Sequence, residues 1–179
     1  TIANLFLKNH SLCRRISFAN GVRAQVARGM GLHQSVLGGM DKQKLRPILQ
    51  SWGTGMREIH GADYWVNLLI QDNFWQQIPS DAVVFIDDVR FVNEASMIIE
   101  SGGYLIRLDC DEETKIKRGA NPDPANLKHS SEVALDGFSS YLTTIDTSSL
   151  LPHETFAQIY SILRAKGVME RQNMVLAYD

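Results

Sequence analysis

The stretch from Ala82 to Leu108 constrains the fold more than any other part of the chain. Ala82 to Ile86 (AVVFI) is a continuous apolar run with no polar alternation. Such a run suits a parallel strand covered on both faces. Asn93 stands where it would cap a helix over Glu94 to Ser101, with Ala95, Ile98 and Ile99 inward and Gly102-Gly103 ending it. Tyr104 to Leu108 then reads as a second buried strand. A strand–helix–strand crossover of this kind builds parallel sheets, so the expected class is α/β.

The flanking segments fit that class. Ile2, Leu5 and Phe6 recur at helical spacing, so the chain opens in a helix. Cys13 to Ala19 reads as a strand, broken by Asn20-Gly21, and Val22 to Met30 as a helix. Gly31 to Met40 is Gly-rich and reads as loop. Leu45, Ile48, Leu49 and Trp52 share a helical face, with Pro47 expected in the first turn or at a kink. Gly53-Thr54-Gly55 would end that helix, and Asp63 would cap another carrying Trp65, Leu68 and Leu69. Tyr141 to Ile145 is a third candidate strand, and Pro152 starts a last helix with Phe156, Ile159, Tyr160 and Leu163 on one face. Residues 109–136 are polar, contain Pro122, Pro124 and Lys128, and read as a long lid-like excursion.

With 179 residues, 18 Lys plus Arg against 20 Asp plus Glu, and a formal net charge of -2, the chain suits one domain without a basic coat for nucleic acid. No apolar run approaches the roughly 20 residues of a membrane span. Cys13 and Cys110 are far apart and outside any metal-type spacing, which suggests buried thiols in a reducing compartment, the cytoplasm. The five histidines form no zinc-type pair, so no protein-bound metal is expected.

Chemistry concentrates in three places. Asp87, Asp88 and Arg90 follow the Ala82 strand, where ligands of open parallel sheets bind. An arginine there can grip a phosphate bidentately, and a carboxylate can take a substrate hydroxyl or a metal-bound water. A solvated turn with Asp88 paired to Arg90 would give the same spacing. Gly53-Thr54-Gly55 offers backbone amides to a ligand, and Trp65 a ring on which a base could stack. A helix-ending turn and a core tryptophan explain those residues equally well. Lys115, Lys117 and Arg118 are cations that a closing lid could bring to a transferring phosphoryl group, or simply a solvated charge run.

Taken in order, these blocks resemble the bacteriophage-type deoxynucleoside monophosphate kinases, P-loop kinases of adenylate-kinase-like fold. Leu45 to Val66 (LRPILQSWGTGMREIHGADYWV) resembles the family's arginine–LQ–GT–tryptophan block. Phe85 to Glu94 (FIDDVRFVNE) resembles its DVRFPNE block, and His129-Ser130-Ser131-Glu132 the H-x-(S/T)-E that closes its lid. The resemblance covers nearly the whole chain.

It implies a three-layer fold around a parallel sheet of order 2-3-1-4-5, in one domain spanning residues 1–179. It implies phosphoryl transfer from ATP, with Mg²⁺, to (deoxy)nucleoside monophosphates. Arg46, Gly53, Thr54 and Trp65 would surround the monophosphate, Asp88, Arg90 and Glu94 would contact its sugar, phosphate or base, and Lys117 or Arg118 would be the catalytic lid cation. Thr1 would lie near the ATP phosphates, as the last residue of a phosphate loop whose glycines and lysine are missing. The complete GxxxxGK[ST] pattern is absent from the chain, so the first strand and P-loop are expected to be lost and the fragment itself inactive. A gap or awkward pairing is then expected between the Ala82 and Tyr104 strands. The family's proline in DVRFPNE is Val92 here, and Pro47 stands where a second arginine is common. Partners would be small nucleotides, with neither nucleic acid nor membrane; a homodimer is compatible with the sequence. The alternatives are a P-loop kinase of another small molecule, such as dephospho-coenzyme A, and a nucleotide-binding module without catalysis.

Overall fold

The computed structural model describes residues 2–119 and 129–169. The chain falls into two compact units. One comprises the residues up to Arg15, Pro79–Phe85 and those from Arg90 onward; the other comprises Ile16–Ile78 with Ile86–Val89.

In the first unit, helix α1 (Ile2–Asn9) leads into strand β1 (Cys13–Ile16), which pairs with β2 (Val83–Ile86). Helix α5 (Val92–Glu100) follows β2 and leads to β3 (Ile106–Asp109), which pairs with β4 (Thr143–Asp146). Both sheets are parallel. Ile106 lies opposite Thr143, and Leu108 opposite Ile145. Between β3 and β4 come two short helices, at Glu112–Lys117 (α6) and Ser130–Val133 (α7), and after β4 comes α8 (Pro152–Ala165).

The fold class is therefore mixed α/β, as the crossover predicts. Strands β2 and β3 do not pair with each other. Among the described residues the strands form two pairs, not one five-stranded sheet.

One apolar cluster covers both pairs. Phe6 and Leu5 of α1 and Phe156, Ile159, Tyr160 and Leu163 of α8 pack with Cys13, Val83, Phe85, Ile106 and Ile145 from the four strands. Phe6 is fully buried and its ring lies 4.5 Å from those of Phe85 and Phe156. Burying one such ring stabilises the unit by about 1.5–3 kcal/mol. The expectation that β2 is covered on both faces is not met: all four of its residues are half-buried.

Three boundaries move for physical reasons. Strand β1 stops at Ile16, and α2 (Ala19–Gly29) of the second unit starts earlier than expected. Asn20-Gly21 thus lies inside a helix. Gly21 is needed there because a Cβ would stand 2.8 Å from Leu68 Cδ2 and 3.2 Å from the Trp65 ring of α4 (Tyr64–Ile70). The crossover helix begins at Val92, not at a capping Asn93; the Glu94 carboxylate accepts the Arg90 and Phe91 amides instead. Gly102 does end it, with φ at 78°.

Helix α3 (Lys42–His60) is the largest departure. Asp41 caps it by accepting the Gln43 amide, so it begins well before Pro47 and continues through Pro47, Gly53 and Gly55. Leu45 and Leu49 pack it on Ala27 of α2 and Leu37, the latter in a 3-10 turn (Gln34–Gly39) within the expected loop. Tertiary burial here outweighs glycine costs of about 1 kcal/mol each. Among the described residues no helix is long and apolar enough to cross a membrane.

Candidate functional site

The second unit holds Asp88, two residues past the end of β2 at Ile86. Its carboxylate accepts hydrogen bonds from Ser17 Oγ at 2.5 Å, the Ala19 amide at 2.9 Å and the Phe18 amide at 3.1 Å. Helix α2 starts at this point, and its first amides have no partner within the helix. Asp88 is thus a long-range N-terminal cap supplied from 70 residues away. The substrate contact expected of Asp88 would compete with these three bonds.

Trp65, expected beside a substrate base, is 2% exposed, and its indole N–H donates to the Gly53 carbonyl at 3.0 Å. A buried ring offers no face to a base, so the stacking role does not hold in this geometry. Gly53 and Thr54 lie mid-helix, where their amides belong to the helical ladder and are not presented to a ligand. Arg46 is exposed near the start of the same helix.

In the first unit the picture is more open. The Arg90 side chain is 54% exposed and its Nη1 donates to Glu132 Oε2 at 3.2 Å. A guanidinium has five donors, so this contact leaves Arg90 able to take a further oxyanion. His129 holds the short helix bearing Glu132: its Nδ1 accepts the Ser131 amide at 3.2 Å and lies 2.7 Å from Ser131 Oγ. The DVRF-like and HSSE blocks, 42 residues apart, therefore meet through Arg90 and Glu132. Glu94 is not at that surface. It is 2% exposed and spent on capping α5, so its expected substrate contact gives way to a structural one.

The two cations expected on a lid differ. Lys117 pairs with Glu113 at 2.6 Å, both well exposed. Such a surface pair is worth about 0.2–1 kcal/mol and is easily exchanged. Arg118 is held firmly: it donates to the carbonyls of Thr147 at 2.8 Å and Leu150 at 3.0 Å. It braces the loop after β4 and is not extended toward a substrate. Thr1 and Lys128, with Pro122 and Pro124, lie outside the described residues.

A cluster at the carboxyl ends of β3 and β4 includes part of Thr144 to Leu150 (TIDTSSL), a stretch that only loosely resembles the adenine-side turn of the phage-type kinases and carries no expected site residue. Thr147 donates its amide and its hydroxyl to the Asp109 carbonyl, both at 2.8 Å. Ser148 donates to Asp146 at 2.6 Å and accepts the Asp111 amide at 2.9 Å. The Thr114 amide and Ser148 hold the Asp111 carboxyl below its ordinary range, and Ser148 does the same for Asp146. Both stay ionised at neutral pH. The signals in the sequence are that loose resemblance and the Asp/Ser/Thr content of Asp109–Asp111 and Asp146–Ser148. Among the described residues no group of three or more His, Cys, Asp or Glu side chains is arranged to hold a metal.

Compared with known proteins, the sequence matches no protein-family model and no curated protein.

Proposed function

We propose that this chain carries the monophosphate side of an ATP-dependent (deoxy)nucleoside monophosphate kinase of P-loop type. The observation that supports this reading most is the strand arrangement. Two parallel pairs, β1-β2 and β3-β4, share one helical cover and stay unpaired at the centre. In this reading the two pairs correspond to strands 2-3 and 4-5 of the kinase sheet, and its middle strand would lie between them.

In this reading Arg90 grips the substrate phosphate, through donors that Glu132 does not use. Glu132 orients the guanidinium, and His129 sets Glu132. Arg118 fixes the loop after β4, and Lys117 is the cation able to move. Asp88 and Trp65 act indirectly, by fixing α2 and α3. ATP and Mg²⁺ would supply the transferred phosphoryl group and its charge neutralisation. The described residues contain neither a phosphate loop nor an acidic cluster fit for Mg²⁺, so the donor side is assigned to no residue here.

The capture of Asp88, Glu94 and Arg118 by structural contacts favours one second reading, a module that binds nucleotides without phosphorylating them. Calorimetric titration with dAMP, dGMP, dCMP and dTMP, and ATP-dependent diphosphate formation by a form bearing a phosphate loop, separate the two. The kinase reading expects binding that Arg90→Ala weakens and turnover with at least one monophosphate. Binding without turnover favours the module, and no binding of any monophosphate refutes both.

A further inference from the structure

The apolar face of helix α3 has an exposed margin that nothing in the proposed site uses. Ile48, Trp52 and Ile59 are 43%, 40% and 74% exposed, and Gly55 lies between them with open space where a Cβ would be. Their spacing of four, three and four residues puts all four on one stripe. Arg46, Gln50 and Arg57 fall on roughly the opposite side of the helix at 100° per residue. Leu45 and Leu49, which pack inward, border the stripe, with Leu45 about 20° from Trp52 around the helix.

Trp52 is held in place. Its indole N–H donates to Gln25 Oε1 at 2.9 Å, and Gln25 Nε2 donates to the Tyr64 hydroxyl at 2.6 Å. An exposed tryptophan fixed by two successive hydrogen bonds has already lost the rotamer freedom that binding would cost. Tryptophans of this kind dominate interface energetics.

The stripe is complementary to itself when reversed. Run antiparallel, a second α3 places its Gly55 opposite Trp52 and its Ile59 opposite Ile48, in a single register: 52 + 55 and 48 + 59 are both 107. The ring then fills the notch that the glycine leaves. The 4-3-4 spacing is that of a seam between paired helices. Lys44 and Glu58, both exposed, lie on one flank of the stripe. Reversal brings Lys44 within about 7.5 Å, measured along the axis at 1.5 Å per residue, of the partner's Glu58. The charges are opposite and the side chains long.

We infer that this stripe is the contact surface for a second copy of this chain, joined antiparallel through α3 about a two-fold axis. One helix pair buries less than a standard interface, so the dimer is weak, with a Kd on the order of micromolar or above.

Sedimentation velocity over a rising protein concentration should carry the mass from one chain toward two. Ile59→Glu, at a position too exposed to matter for folding, should raise the dimerisation Kd at least about tenfold by placing a charge in the seam. The register has its own test, on a Cys110→Ser background that leaves only buried Cys13. With copper–phenanthroline and oxygen as oxidant, Ile48→Cys combined with Ile59→Cys should give a disulfide-linked dimer, and neither single variant should. A chain that stays monomeric throughout, as it would if the stripe serves another partner or is covered within the chain, overturns the inference. So does a dimer indifferent to Ile59→Glu, or single variants that cross-link as fast as the pair.

Discussion

Replacing Asp88 decides whether that carboxylate is a helix cap or a substrate ligand. In Asp88→Ala the amides of Phe18 and Ala19 and the hydroxyl of Ser17 lose their acceptor together. Losing an N-terminal cap costs about 0.5–2 kcal/mol. Hydrogen bonds to a charged group are worth about 1.5–3 kcal/mol, but water re-enters a half-buried site and recovers part of that. The net expectation is a loss of about 2–4 kcal/mol, a large share of the roughly 5–15 kcal/mol typical of a domain. At about 2–4 °C per kcal/mol for a chain of this size, the melting temperature falls by about 5–15 °C. Urea denaturation followed by circular dichroism measures the loss, with an unchanged slope showing that the transition is the same one. Ser17→Ala should cost about 1 kcal/mol in the native background and almost nothing once Asp88 is gone, which is the signature of coupled partners. An Asp88→Ala protein within about 0.5 kcal/mol of the parent, the range of inert surface changes, would refute the cap. If that protein had also lost monophosphate binding, Asp88 would be a ligand after all.

Gly21→Ala should lower stability by about 1–3 kcal/mol despite alanine's better helix propensity, because the new methyl meets Leu68 and the buried Trp65; denaturant melts check it. Val92→Pro should be neutral or stabilise by up to about 1 kcal/mol, since Val92 opens α5 and Phe91 before it is extended (φ -126°, ψ 153°), as a residue preceding proline must be. His10 is stacked on Tyr160 with its Nε2 buried and unpartnered, and burial lowers its pKa from 6.5. The unfolded chain therefore takes up the proton first, so stability falls as pH drops below about 6.5 and is level above it; His10→Phe should flatten that part of the pH–stability curve. Burial pushes the Cys13 thiol up to about 11, against a smaller lowering by Arg14. A thiol reagent at neutral pH should therefore modify half-buried Cys110 first and Cys13 only on unfolding.

The parts of this fold that could be read from sequence are those whose cause is local. The apolar run of β2, the glycine pair after α5 and the proline opening α8 each act within one turn of chain, and each lies where expected to within a few residues. The misreadings share a different cause. Gly53-Thr54-Gly55 has the composition of a turn, yet it lies inside a helix packed through Leu45 and Leu49, with Trp65 bonded to the Gly53 carbonyl. No local rule contains those partners. Asp88 shows the same thing at the candidate site. A carboxylate just past a parallel strand has the address of a ligand contact, and the helix that claims it starts about 70 residues earlier.

The pair most relevant to the proposed function, Arg90 with Glu132, is also non-local, yet both members lie in blocks singled out by resemblance. Resemblance records which distant residues go together, and spacing cannot. Its weakness is that it does not say which residues meet the ligand and which hold them there. Trp65, Asp88 and Glu94 all lie in the resembling blocks, and the structure gives each of them a holding role. Arg90 differs because more than half its side chain remains exposed after its contact with Glu132. An arginine held for structure alone gains nothing from donors left in water. That asymmetry is the physical reason to expect the substrate phosphate at Arg90.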